Sequence, residues 1–168
     1  CLIIEPKIFT DERGFFQETF NRSRYSSMAG INLDFVQDNH SRSSMGVLRG
    51  LHFQSTKPQG KLVRVVNGEV FDVAVDIRKD SPTFGKHTSV ILSGNNKKQL
   101  WIPPGFAHGF LVLSDTADFE YKCTDFYDPD DEQCLKWDDP ELNIKWPESK
   151  KYISDKDNNA KLLQDLDL

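Results

Sequence analysis

Two histidines, a lysine and a tyrosine stand out because each lies in a run that would enclose a titratable side chain among apolar ones. His52 sits in Val47-Leu48-Arg49-Gly50-Leu51-His52-Phe53-Gln54, and His108 in Pro103-Pro104-Gly105-Phe106-Ala107-His108-Gly109-Phe110. A single histidine in such a run is more often a core residue held by a partner than a reactive group. Two of them, with Lys61 and Tyr121 in strand-like runs of their own, would gather titratable groups in a space where pKa values shift readily. The chemistry they suit is acid–base catalysis, with a metal centre as the rival.

The elements that must position these side chains are short strands. Strand-like runs bounded by Gly, Pro, Asn and Asp recur along the chain and helical periodicity is scarce, which predicts an all-β sandwich or barrel. The clearest run is Lys61 to Val66, then Asn67-Gly68, then Glu69 to Asp76. Asn-Gly suits a two-residue type I′ hairpin. Val66 would then face Glu69 and Val63 would face Asp72, making Lys61 and Asp72 diagonal neighbours that form a charged pair on one sheet face. Further strands are expected at 46–54, 87–92, 99–102, 109–114 and 118–124, and a short helix at 22–28. After Tyr127 the composition turns irregular, as a tail lying over the sheet, and Ser154 is expected to cap a last helix running through Leu166. Strict alternation puts Arg49 and His52 on opposite faces of their strand, so either Gly50 makes a bulge or one of the two serves elsewhere, such as a subunit interface.

With 168 residues, 38% of them apolar, the chain has the size and bulk of one globular domain. A net charge of −5 argues against a general grip on nucleic acid. Three cysteines, at positions 1, 123 and 134, form no C-x-x-C pair and suit reduced thiols in a cytoplasm. No apolar run approaches the length of a membrane span. The opening Cys1-Leu2-Ile3-Ile4 reads as a natural N-terminus that has been trimmed.

The Pro-x-Gly-x-x-His pattern at Pro103 to His108 resembles the second motif of the cupin superfamily, whose metal-binding members carry His-x-His in the first motif. Here that motif reads His52-Phe53-Gln54. Glutamine in place of the second histidine leaves too few nitrogen and carboxylate ligands for a transition-metal site.

Several longer segments extend the likeness. Asp11-Glu12-Arg13-Gly14-Phe15-Phe16 with Glu18, Phe35 to Ser41, Val47 to Gln54, Gln59 to Arg64, Gly68 to Asp76, Pro103 to Phe110 and Tyr121-Lys122 resemble, in order, the dTDP-4-dehydrorhamnose 3,5-epimerase family of the cupin superfamily. The resemblance implies a cupin-type jelly roll with short peripheral helices, working without metal or cofactor on a dTDP-linked 4-keto-6-deoxyhexose. Both C3 and C5 flank the C4 ketone, so loss of either proton gives an enolate, and reprotonation from the other face inverts the centre.

By the same resemblance, His52 is the base, Asp157 the carboxylate that orients it (with Asp155 as the fallback), Tyr121 the acid and Lys61 the cation beside the enolate. His108 is implied as a further substrate contact. At the nucleotide end the implied contacts are Arg13, Glu18, Gln37, Asp38, Asn39, Arg49, Glu132 and Lys156, with Tyr127 stacking on the thymine. Family members are homodimers that exchange N-terminal strands, so residues near Arg13 and Glu18 are expected to reach the partner's site. A relative inverting only one carbon and a non-catalytic sugar-nucleotide binder are the alternatives.

Overall fold

Alternating apolar residues between glycine, proline and asparagine breaks do become strands. The computed structural model, which describes residues 1–168, places β1 at Leu2–Ile4, β2 at Ile8–Asp11, β3 at Gly14–Gln17, α1 at Arg22–Ala29, β4 at Gln37–Ser44, β5 at Leu48–Gln54 and β6 at Lys61–Asn67. There follow β7 at Glu69–Asp76, β8 at His87–Ser93, β9 at Gln99–Ile102, β10 at Phe106–Val112, β11 at Thr116–Cys123, β12 at Glu132–Cys134, α2 at Asp155–Asn158 and a 3-10 turn at Leu163–Asp165. No helix is long and apolar enough to cross a membrane.

Two five-stranded sheets, ordered β1-β9-β6-β11-β4 and β12-β5-β10-β7-β8, carry the fold, and β2 and β3 form a separate hairpin. Between the sheets lies a core that draws Val63, Val65, Leu100, Ile102 and Phe119 from the first and Val70, Ala74, Leu92 and Phe110 from the second. This is the all-β jelly-roll architecture expected from the sequence.

One expectation fails at the Asn67-Gly68 step. β6 pairs with β9 and β11, and β7 with β10 and β8, so the two runs form no hairpin with one another. The chain instead turns a corner from one sheet into the other. Gly68, at φ +81°, makes this possible, since a Cβ there would lie 2.0 Å from the Thr116 carbonyl oxygen. The physical reason is that Val63 and Val65 bury their side chains against Val70 and Ala74 across the barrel, where both gain more apolar cover than in one flat ribbon. Lys61 and Asp72 therefore sit in facing sheets, and Asp72 pairs with His108 at 2.9 Å rather than with Lys61.

The tail is less irregular than its composition suggests. It contributes β12 to the second sheet, and Leu135, Leu142, Leu163 and Leu166 cover that sheet's outer face over Leu51, Phe53, Val73 and Val75. Each fully buried leucine contributes about 1.5–3 kcal/mol, so the tail is part of the core. The last helix stops at Asn158 instead of reaching Leu166, although Ser154 does cap it, accepting from the Asp157 N–H. Asn21 caps α1 in the same way, and Gly30 ends it in the left-handed region. The N-terminal strands, β4 and β12 lie outside the strands expected from the sequence: they are short, polar or exposed, and their apolar period is weak.

Gly50 resolves the conflict over Arg49 and His52. His108 pairs with His52, and Phe110 with Arg49, so two steps on β10 face three on β5. The extra residue is a bulge that returns Arg49 and His52 to one cavity. Gly50 has φ +114°, and a Cβ there would meet Gly109 Cα and the His108 carbonyl at 2.6 Å each. Gly50→Ala is expected to lower stability by about 1–3 kcal/mol, read from the denaturant midpoint, because neither contact is with a flexible side chain.

Candidate active site

The site is assembled at one end of the barrel, where β5, β6 and β11 run alongside the returning tail. His52 Nε2 donates to Asp157 Oδ1 at 2.7 Å, and the backbone N–H of Gly50 donates to Oδ2 at 3.1 Å. Two features deliver Asp157 to this place. The Tyr152 N–H and carbonyl bond to Gly46 and Leu48 beside the start of β5, and Ser154 then opens the short helix that carries Asp157. Burial pushes the Asp157 carboxyl up, but hydrogen bonds from His52, Gly50 and Cys134 outweigh it and hold the pKa below the usual aspartate range. Asp157, not Asp155, is the partner of His52. With Nε2 fixed as the donor, Nδ1 is the ring nitrogen left to take a proton.

Two cavities meet at His52 and Glu132. One, of about 290 Å³, is lined by Gln37, Asn39, His52, Gln59, Lys61, Tyr121, Tyr127 and Glu132. The other, of about 260 Å³, is lined by Arg49, His52, Glu132, Tyr152, Ser154, Lys156 and Asp157 among others. Lys61 is only 9% exposed and has no carboxylate within ion-pair distance; burial lowers its pKa from the ordinary lysine value, against weaker pulls from Cys123, Glu132 and Asp72. Tyr121, on the neighbouring strand β11 two residues before Cys123, the partner of Lys61, has its phenol pKa raised by burial, which keeps its proton in place. His108 lies deeper, 7% exposed, bonded to Asp72 and stacked near Phe119.

At the outer end, Gln37 Oε1 accepts from the Tyr127 N–H at 2.9 Å and Gln37 Nε2 donates to Asn39. The Tyr127 hydroxyl donates to Glu132, which Lys156 also pairs with. Arg49 Nε donates to Ser43 Oγ. Gln54 shares the inward period of His52 but spends its amide on the Lys57 and Phe126 carbonyls and the Asp128 N–H, pinning the loop that carries Tyr127.

Three expected contacts are not brought here. Asp38, one residue from both Gln37 and Asn39 on an alternating strand, points to the outer face and pairs with Lys122 at 3.0 Å. That face holds a groove of about 340 Å³ whose His40, Arg64 and Glu120 bond to one another or to Asp118. Arg13 lies on the exposed β2–β3 hairpin beside Asp11, and Glu18 pairs with Arg24 at 3.0 Å. Residues the sequence did not single out include Gln59, Tyr152 and Cys134. Cys134 faces His52 across β12 and β5, with its Sγ 3.7 Å from Asp157 Oδ1. Nothing in a linear sequence pairs position 134 with position 52.

The geometry can be set beside known proteins. A family model described as dTDP-4-dehydrorhamnose 3,5-epimerase matches residues 1–165. A relative of that description from Shigella flexneri is 58% identical over 167 residues, covering 99% of this chain and 92% of the relative. The crystal structure of the dTDP-6-deoxy-D-glucose-3,5-epimerase RmlC of Legionella pneumophila, in complex with dTDP-4-keto-L-rhamnose, superposes with a TM-score of 0.96 at 61% identity, over 98% of this chain and 88% of that one. A 3′-monoepimerase from Streptomyces bikiniensis, in complex with dTDP-quinovose, superposes with a TM-score of 0.91 at 34% identity, over 96% and 83% of the two chains. Full-length agreement in sequence and in fold makes this chain a member of the dTDP-4-dehydrorhamnose 3,5-epimerase family.

Proposed function

We propose that the chain is an isomerase that inverts C3 and C5 of dTDP-4-dehydro-6-deoxy-D-glucose, giving dTDP-4-dehydro-L-rhamnose, by proton transfer beside the C4 ketone without a cofactor. The observation that carries this reading is the His52–Asp157 pair at the edge of a cavity that also holds Lys61 and Tyr121. His52 and Tyr121 belong to facing sheets. A sugar between them has its base on one side and its acid on the other, which is what inversion demands. His52 Nδ1 takes the proton while Asp157 holds the opposite ring nitrogen and offsets the imidazolium charge. Lys61, itself buried, supplies a positive charge to the enolate oxygen. Tyr121, still protonated because of its burial, returns a proton to the other face.

The same reading assigns Gln37, Asn39, Arg49, Tyr127, Glu132 and Lys156 to the nucleotide end and His108 to support of the sugar site, in a single-domain enzyme of the cytoplasm. It includes a homodimer. Phe9, Phe15 and Phe16 on the β2–β3 hairpin are 51%, 60% and 68% exposed, more apolar surface than a small hairpin leaves open without a cover. A second copy over that hairpin would carry Arg13 and Glu18 toward its own cavity. Asp38, paired outside the barrel, is left out of the site.

The 3′-monoepimerase shares the fold, and the isotope pattern of the product separates double from single inversion. Turnover in deuterium oxide is expected to place label at both C3 and C5 of a doubly inverted product; label at one carbon would overturn the double inversion. Tyr121→Phe is expected to slow net inversion by about 100-fold while solvent exchange through His52 persists, as read by NMR of the recovered substrate.

A further inference from the structure

We propose that His52, Cys134 and Asp157 together form a site for a thiophilic divalent cation of the zinc or cobalt type, whose binding switches the dyad off. Cys134 stands directly opposite His52 in the β12–β5 register, so backbone pairing holds the thiol beside the imidazole. Its Sγ lies 3.7 Å from Asp157 Oδ1, the oxygen that His52 Nε2 reaches at 2.7 Å, and one donor atom from each residue lies within 4.8 Å of the others.

Metal bonds of about 2.0–2.3 Å put neighbouring donors about 3.3–3.8 Å apart in a tetrahedral centre. The sulfur–oxygen spacing already falls in that range, and a turn of the His52 ring has to open the nitrogen–oxygen spacing and bring the nitrogen–sulfur spacing, now within 4.8 Å, into it. One sulfur, one imidazole nitrogen and one carboxylate oxygen select zinc or cobalt over magnesium or calcium. His52 and Asp157 also border the 260 Å³ cavity, which leaves room for water at the fourth position. Lys156, held beside Glu132 at the same cavity, opposes the cation and makes the site weaker than a structural zinc centre.

Occupation blocks the base by moving one proton and expelling another. The cation bonds to His52 Nε2, to Cys134 Sγ and to Asp157 Oδ1. The thiol proton leaves to solvent, and the imidazole proton shifts from Nε2 to Nδ1. Nδ1 then has no lone pair for a carbon-bound proton, and Asp157 no longer supports the ring. The inhibitory half of the proposal rests on His52 being the base; the cation site itself does not.

The test is a Co2+ titration of the full chain, following thiolate-to-cobalt charge-transfer absorption and epimerase rate together. A charge-transfer band that rises as activity falls, with both reversed by EDTA, is the expected result. Cys134→Ser is expected to lose the band and to need about 10-fold more Co2+ or beyond for half-inhibition, relative to its own uninhibited rate. Cys123→Ser is expected to keep both responses. Absence of the band, or a band that persists in Cys134→Ser, would overturn the site. A Cys134-dependent band with unchanged turnover would keep the site and instead count against His52 as the base, so the two failures are told apart.

Discussion

Replacing His52 by alanine is expected to lower kcat/KM by about 1,000- to 10,000-fold and to abolish solvent deuterium exchange at the sugar, with dTDP binding nearly unchanged. The separation follows from the layout. His52 meets the sugar end through Nδ1, whereas Gln37 and Tyr127 lie at the outer end of the same cavity and are held by their own bond. Alanine also leaves the Asp157 carboxylate with only the Gly50 N–H and the Cys134 thiol, at a cost of about 1–3 kcal/mol. A second variant guards against simple unfolding: His52→Asn keeps a donor for Asp157 but has no basic nitrogen. Both should lose exchange while a calorimetric titration with dTDP stays near wild type. Undiminished exchange in the folded asparagine variant would refute the assignment.

Lys61→Met should move activity and stability in opposite directions. Activity is expected to fall by about 100- to 1,000-fold, because the enolate loses the one cation held inside the barrel wall beside it. Stability is expected to hold or rise, since Lys61 is buried without an ion-pair partner and methionine of similar volume removes an uncompensated charge. The pH profile gives an independent check. Burial lowers the Lys61 pKa, so the ammonium deprotonates at a lower pH than an ordinary lysine, and wild-type activity should decline on the alkaline side below the usual lysine range. Lys61→Met should lack that decline. A melting temperature lowered together with activity would point to a structural lysine, and an alkaline limb that survives the substitution would assign it to another group.

These effects also mark how far the sequence could be read. Seven strands were legible because short runs rich in apolar residues end at Gly, Pro, Asn and Asp, which break pairing. His52, Lys61 and Tyr121 were legible as titratable groups inside such runs, and Gln54 as a weak metal ligand. Asp38 was misplaced for a simple reason: a resemblance assigns a block of residues, whereas a strand sends alternate members of the block to opposite sides, and only Gln37 and Asn39 point inward. Arg13 and Glu18 do not line this chain's own cavity, Arg13 pairing with Asp11 on the exposed hairpin and Glu18 with Arg24.

What the sequence determined by itself is local: which stretches extend, where they turn, which residue caps α2, and which side chains have the chemistry to move a proton. These follow from backbone sterics and side-chain type, which act over a few residues. Tertiary structure decided what depends on burial shared between distant segments. It turned Asn67-Gly68 into a corner, because two apolar faces bury more against each other across a barrel than side by side in a ribbon. It bulged β5 at Gly50, so that Arg49 and His52 share a cavity. It folded the leucines of the tail onto the second sheet, and that packing, from residues more than eighty positions beyond His52, set Asp157 against the imidazole.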